Sequence, residues 1–151
     1  MTGVPDGFEQ MQTDSPFNTW AGPFYAKQVR STAIIGFIVA EHHCNSAGTV
    51  HGAMVCAAAD IALGRNIGLE TRAKGYFDNG ISKNRSGAPI ATLNLSTDFV
   101  GTAQQGAWVE VHVDVQKAGR SVGFANAYLV CDGERIARAS AVFKVLRPLS
   151  S

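Results

Sequence analysis

The sequence lacks an excess of charge of either sign. Its 151 residues include 13 Lys and Arg against 12 Asp and Glu, which gives a formal net charge of +1. Proteins that bind nucleic acid or anionic membranes usually carry a basic face or a basic helix. No run of one sign is long enough to supply such a face, so we expect neither nucleic acid nor a membrane surface as a partner.

Long apolar runs are lacking as well. The longest, residues 52–64, is interrupted by Asp60 and falls short of the roughly 20 residues that span a bilayer. The N-terminus has neither the basic start nor the apolar stretch of a signal peptide. These two absences predict a cytoplasmic protein without a transmembrane segment.

Cysteine is scarce, and its pattern does not suggest cross-links. The number of cysteines is odd and their spacing is wide, which favours free thiols in a reducing compartment over a disulfide framework. His42, His43 and His51 lie near the first of them, but no second Cys or His pair completes a tetrahedral set, so no metal is expected. The cysteines are Cys44, Cys56 and Cys131.

The chain length and the apolar pattern predict one domain. At 46% hydrophobic residues the chain can bury a substantial core. Residues 1–21 are polar with Gly and Pro punctuation, which is typical of a tail, with a short helix around residues 17–20. Residues 22–147 are expected to form the domain.

Period-two alternation in the second half of this domain predicts antiparallel strands. Two segments rich in β-branched and aromatic residues, 22–29 and 32–42, predict strands before the helix described next. Four more strands are expected after it, the last two joined by a hairpin at Asp132-Gly133. The predicted fold is α+β, with about six strands wrapped around one long central helix.

The central helix is predicted from the stretch VHGAMVCAAADIALG, residues 50–64. Ala, Met and Leu favour helix, and a helix that is apolar on nearly every side is a buried one. A polar loop is expected over residues 70–87. Asp60 lies in the middle of the apolar stretch, where an unpaired charge is costly. The end of the helix is indicated by Gly64, Asn66 and Gly68.

The region around Asp60 resembles a known signature. HHCNSAGTVHGAMVCAAADIALG is similar to the Asn-x-x-Gly-x-x-His-Gly-Gly motif, followed eight residues on by Asp, of hot dog fold acyl-CoA thioesterases of the phenylacetic-acid-pathway subfamily, within the 4-hydroxybenzoyl-CoA thioesterase-like superfamily. The resemblance implies a hot dog fold and hydrolysis of an acyl-CoA, with CoA as part of the substrate and no further cofactor. The matching positions are Asn45, Gly48, His51, Gly52, Ala53 and Asp60.

The resemblance also implies roles for single residues. Asp60 would be the general base or nucleophile, and the backbone N–H of Gly52, at the positive end of the helix dipole, would polarise the thioester carbonyl. Asn45 would position the thioester or water, His51 would support the turn and the substrate carbonyl, and Thr92 would help to position water. Because phosphates favour cationic groups near flexible Gly turns, the candidates for binding CoA are Arg120, Lys117 and Arg85.

The spacing of Gly52 and Asp60 predicts an oligomer. Eight residues along one helix correspond to about 12 Å, too far for both groups to act on one carbonyl. If two such helices pack antiparallel across a two-fold axis, Gly52 of one chain meets Asp60 of the other. We therefore expect a homodimer or a dimer of dimers, which is a homotetramer.

Structural interpretations stand beside the functional ones. Asp60 could be a structural carboxylate, and Asn45 could be a helix N-cap or an Asx-turn residue. Ala53 replaces the second glycine of the motif and could narrow the acyl pocket. The alternative function is a non-catalytic module that binds an acyl-CoA or another metabolite on the same fold. A hydratase is a third hypothesis, but this helix lacks the Asp and His pair that it needs.

Overall fold

The fold is one antiparallel sheet around one long helix. The computed structural model describes residues 3–76 and 89–146. The helices are α1 (Pro16–Ala21) and α2 (Gly52–Ala73), with a 3-10 turn at Glu41–His43. The strands are β1 (Glu9–Gln10), β2 (Phe24–Val29), β3 (Thr32–Ile38), β4 (Ile90–Phe99), β5 (Trp108–Ala118), β6 (Val122–Cys131) and β7 (Glu134–Val145). They form a seven-stranded sheet in the order β1-β2-β3-β5-β6-β7-β4. This confirms the predicted α+β class, and the added strand is the short β1, which pairs with β2.

Small side chains let the sheet approach α2 closely. The helix buries a run of alanines that includes Ala58, Ala59 and Ala62 completely. On β7, alternate small residues face the helix and are at most 6% exposed: Ala137, Ala139 and Ala141. Close packing of this kind maximises the dispersion contacts that stabilise the core. The small side chains on this face of β7 therefore allow the strand to lie close to α2.

The predicted end of the central helix is wrong. The helix does not end within residues 64–68 but continues to Ala73, and Gly64 and Gly68 are buried positions within it. A Cβ at Gly64 would lie 2.9 Å from Ile90 Cδ1 and 3.3 Å from Phe143 Cε1. Glycine is needed there for close packing against the sheet, which offsets its poor helix propensity.

Asn66, which also suggested a helix end, is instead a buried clamp between helix and sheet. Its Oδ1 accepts from the Ala33 N–H at 2.7 Å, and its Nδ2 donates to the Ala33 carbonyl at 2.9 Å and to the Ala62 carbonyl at 2.9 Å. Strand β5 pairs with β3 only from Ile35 to Ile38, so Ala33 lies beyond that ladder. The Asn66 amide takes the place of the missing strand partner.

The predicted loop over residues 70–87 begins later than expected. Residues 70–73 form the last turn of α2, and Lys74 is its C-cap. The remainder of the predicted loop from residue 77 onward, including Arg85, lies outside the described residues.

The cysteines are free thiols, as the sequence predicted, and they are Cys44, Cys56 and Cys131. Within residues 3–76 and 89–146, no three His, Cys, Asp or Glu side chains cluster in a way that could hold a metal ion. In the same part of the chain, no helix has both the length and the apolar character needed to cross a membrane.

Candidate active site

The first turn of α2 leaves one backbone donor open. His51 is the N-cap, and its Nδ1 accepts from the Ala53 N–H at 2.9 Å. The first N–H groups of a helix have no partner within the helix. The Gly52 N–H has no acceptor among the described residues, and it lies at the positive end of the helix dipole. Gly52 therefore offers a donor to an oxygen that gains negative charge.

His43 holds the N-cap residue His51 in place. The His43 carbonyl accepts from the His51 N–H at 2.8 Å, and the His43 Nδ1 accepts from the Ala40 N–H at 2.9 Å. Burial, and then the neighbouring His42, lowers the pKa of His43. A neutral ring at 3% exposure suits an acceptor role toward the backbone. The sequence analysis considered His43 only as a metal ligand and missed this supporting role.

Asp60 lies two turns further along α2 and is half-buried in the single chain. The Thr92 hydroxyl donates to Asp60 Oδ1 at 2.7 Å. Asp60 Oδ2 has no hydrogen-bond partner among the described residues. The carboxylate is therefore held by one oxygen and has the other one available for chemistry.

A bulge in β4 turns Thr92 toward the helix. Period-two alternation along residues 90–99 predicts that Thr92 shares the wetter face with Asn94, Ser96 and Asp98, and this prediction is wrong because the strand is irregular at this point. The β4–β7 register shifts between Thr92 and Asn94. Thr92 pairs with the buried Phe143. Because cross-strand partners share a face, Thr92 lies on the inner face with Phe143 and reaches Asp60.

Asn45 is engaged within its own loop. Its Oδ1 accepts from the Ala47 N–H at 3.0 Å and the Thr49 N–H at 3.2 Å, and its Nδ2 donates to Thr49 Oγ1 at 3.0 Å. This is an Asx-type turn, the structural alternative for this residue. Gly48 in the same turn has φ +75°, which favours glycine. Among the described residues, Asn45 forms no hydrogen bond with Asp60 or Gly52, and it shapes the loop that leads into α2.

Gly52 and Asp60 lie on one continuous helix, Gly52 at its start and Asp60 near its middle. The helix runs unbroken from Gly52 to Ala73, so about 12 Å separates the two residues along its axis. Strand β4 runs antiparallel to α2, with Thr92 beside Asp60 and Phe99 beside Gly52. The two groups are therefore too far apart to act on one carbonyl within a single chain. Phe99 lies beside the candidate donor Gly52, and the sequence analysis did not identify it.

The candidates for CoA binding lie at the same end of the sheet as Asp60 but not beside it. Lys117 and Arg120 lie at the β5–β6 turn, with the Arg120 guanidinium 4.8 Å from the centre of the Tyr76 ring. This turn is three strands from Thr92, about 14 Å at 4.8 Å per strand. The pairing that relates them runs Thr92, Phe143, Gly123 and Ala118.

A polar groove of about 510 Å³ lies on the opposite side of the sheet. Its lining residues include Ser96, Asp114, Asn126, Arg138 and Ser140, and the strand neighbours of Asn126 face α2 and are buried. The sheet separates this groove from Asp60 and Gly52, so the groove is not part of the candidate site.

Comparison with known proteins identifies the family. The profile of the Thioesterase superfamily matches residues 47–138, which include Gly52, Asp60 and Thr92. The chain belongs to the thioesterase superfamily. A relative named "Putative esterase PA0474" from Pseudomonas aeruginosa is 33% identical over 144 residues, which is 95% of this chain and 98% of that protein.

Solved structures of other proteins share the fold. The PaaI protein of E. coli, from its phenylacetic acid degradation operon, superposes with a TM-score of 0.71 at 13% identity over 89% of this chain and 86% of that chain. Zebra fish thioesterase superfamily member 2 gives 0.67 at 23% identity over 88% of this chain and 89% of that chain. The predicted hot dog fold is thereby confirmed.

Proposed function

We propose that this thioesterase-superfamily protein hydrolyses an acyl-CoA thioester in the cytoplasm to a carboxylic acid and free CoA. The observation that carries the proposal is the Asp60 carboxylate, which Thr92 orients at 2.7 Å in the otherwise apolar stretch 52–64 of α2. Partial burial of a charge costs free energy of folding, which favours a functional role for this carboxylate. The open Gly52 N–H at the start of the same helix supplies the complementary group for a carbonyl oxygen.

Asp60 and Gly52 have separate tasks in the reaction. The Gly52 N–H donates to the thioester oxygen as that oxygen gains charge. Asp60 Oδ2 either takes a proton from the attacking water or attacks the carbonyl carbon itself. The C–S bond then breaks, and the thiolate of CoA leaves and takes up a proton. The water route gives the carboxylic acid directly, whereas in the nucleophilic route a water molecule then hydrolyses the acyl–Asp60 anhydride, which releases the acid and restores the carboxylate. Thr92 keeps the carboxylate oriented in either route.

The remaining positions of the motif have supporting tasks in this proposal. His51 fixes the first turn of α2, and thereby the direction of the Gly52 N–H, through its bond to Ala53. Asn45 shapes the loop in front of that turn, and its Nδ2 carries a second hydrogen that can bind the thioester or water. Lys117 and Arg120 would bind the phosphates of CoA. The CoA molecule is long enough for its phosphates to lie away from the thioester.

The unburied face of α2 supports a two-fold dimer. Among the partly exposed positions of α2 in the single chain, four near its start follow the spacing i, i+3, i+4 and i+7: Ala53, Cys56, Ala57 and Asp60. Three of these side chains are small, so a second helix can approach closely. An antiparallel partner helix brings Gly52 of one chain to Asp60 of the other and completes two equivalent sites. Such dimers can associate further into a homotetramer.

Hybrid dimers test whether each site is shared. We expect the variants Asp60→Asn and Gly52→Pro to be nearly inactive alone, and their co-refolded mixture to regain about a quarter of wild-type activity, because half the dimers are hybrids with one intact site. Proline is tolerated at the first helical position, and the extended His51 backbone (ψ 139°) suits a following proline.

Two controls accompany this mixture. Gly52→Ala keeps the N–H and reports the effect of added bulk alone. A mixture of Asp60→Asn with Asp60→Ala contains no intact site and is expected to stay inactive. If Gly52 and Asp60 of the same chain formed one site, no mixture would recover activity, and the shared-site arrangement would be wrong.

The register of this dimer predicts a cross-link. If residue 52 faces residue 60 of the other chain, the residue midway between them, Cys56, lies at the two-fold axis and faces its own copy. A short bis-maleimide should therefore convert the wild-type protein into a covalent dimer on a denaturing gel. Cys56→Ala should abolish this band, and Cys44→Ala should leave it unchanged. A band that survives Cys56→Ala would contradict the register.

A further inference from the structure

Phe99 forms a wall beside the donor of the candidate site. A methyl group at Gly52 would lie 3.3 Å from both Cε1 and Cζ of the Phe99 ring. Contact this close means that the edge of the ring borders the first turn of α2, where the Gly52 N–H is open. The residue thus lies against the donor to which a thioester oxygen would bind, and no role has so far been assigned to it.

The end of β4 fixes the ring in this position. Phe99 pairs with Ala137, which is 1% exposed and faces α2, so Phe99 points to the helix side as well. The Val100 and Gly101 N–H groups both donate to the Ile136 carbonyl, at 2.9 and 3.0 Å. These bonds anchor the backbone directly after Phe99, and the small Ala137 leaves space for the ring.

The Phe99 ring is only partly buried in the single chain. Although Phe99 points to the helix side and its ring edge borders Gly52, it is 54% exposed in the single chain, so the fold leaves about half of its surface uncovered. An apolar surface there does not hydrogen-bond to the substrate. It can contact carbon atoms next to the thioester carbonyl, and it can exclude water from the N–H···O bond, which strengthens that bond.

We propose that Phe99 is a specificity-determining residue that contacts the acyl group next to the thioester carbonyl and favours apolar acyl groups of several carbons over acetyl. This inference rests on the proposed thioester hydrolysis. One methylene group of the substrate that contacts an apolar pocket changes kcat/KM by roughly 10- to 200-fold. The ring therefore has enough apolar surface to set the preference for acyl length.

The experiment compares kcat and KM of wild type, Phe99→Ala and Phe99→Leu on acetyl-CoA, hexanoyl-CoA and phenylacetyl-CoA. For Phe99→Ala we expect kcat/KM to fall about 10-fold or more on the two larger substrates and by less than about threefold on acetyl-CoA. Phe99→Leu should recover most of the loss. The matched control is Phe124→Ala, because Phe124 is 42% exposed on the outer face of the sheet and should leave all three rates unchanged.

The outcomes separate this inference from the proposed function. An active wild type with an unchanged Phe99→Ala variant would overturn the role of Phe99 alone. An equal loss on all three substrates would show a structural role and would also overturn it. A wild type that hydrolyses none of the three would overturn the proposed function, and the role of Phe99 with it.

Discussion

Asp60→Asn is expected to lower kcat for acyl-CoA hydrolysis by about 10²- to 10⁴-fold, the usual contribution of a general acid or base. The amide neither takes a proton from water nor attacks a carbonyl carbon. Its Oδ1 can still accept from the Thr92 hydroxyl, which donates to Asp60 at 2.7 Å, so the fold and KM should change little. Steady-state kinetics over short, medium, long and aryl acyl-CoAs provides the measurement.

Asp98→Asn is the matched control for this variant. Asp98 accepts from Arg138 Nε at 2.9 Å, and both side chains are well exposed, so neutralising Asp98 should leave kcat within about twofold of wild type. Wild-type turnover by Asp60→Asn would eliminate the assigned role of Asp60. A wild-type protein that binds acyl-CoA but hydrolyses no member of the panel would instead be the non-catalytic module.

Asn66→Ala is expected to lower the free energy of unfolding by about 2–5 kcal/mol, because it leaves the buried N–H and carbonyl of Ala33 without partners at about 1–3 kcal/mol each. Asn66 itself is fully buried, so water does not replace the amide without opening the core. Urea unfolding at a fixed protein concentration measures the change, and the m-value should stay the same.

The matched control for Asn66 is Asn126→Ala. Asn126 is exposed on β6, and its loss should change the free energy of unfolding by no more than about 0.5 kcal/mol. Equal stability of the two variants would show that the Asn66 clamp contributes nothing. Asn66 contacts β3, whereas Asp60 contacts β4. The folded fraction of Asn66→Ala should therefore retain its hydrolytic activity.

Local sequence patterns were sufficient to predict the central helix and the strands around it, but not the residues at which they begin and end. The predicted strands before α2 and the hairpin at Asp132-Gly133 match β2, β3 and the β6–β7 turn, where both turn residues have positive φ. Alternation and turn chemistry act over a few residues and are visible in the sequence. Gly64 and Asn66 misled the prediction because their use depends on residues that are distant in sequence.

The candidate site shows the same division. The positions of Gly52 and Asp60 on one helix could be predicted from spacing and from the resemblance, and the structure places both on α2. The bond between Thr92 and Asp60 depends on a bulge, and whether a strand contains an extra residue is decided by its pairing with β7. The contact of Phe99 with Gly52 likewise joins residues 47 positions apart in the chain.

The sequence by itself determined the helix, the single carboxylate in its apolar stretch, the glycine at its start and the separation between these two groups along the helix. Those features depend on helical periodicity and on chemistry that neighbouring residues carry with them. Only the tertiary structure decided which side chains orient the site, because the partners of Asp60, Gly52 and Asn66 come from other elements. Close packing between the helix and its sheet brings these partners together, and no local pattern encodes it.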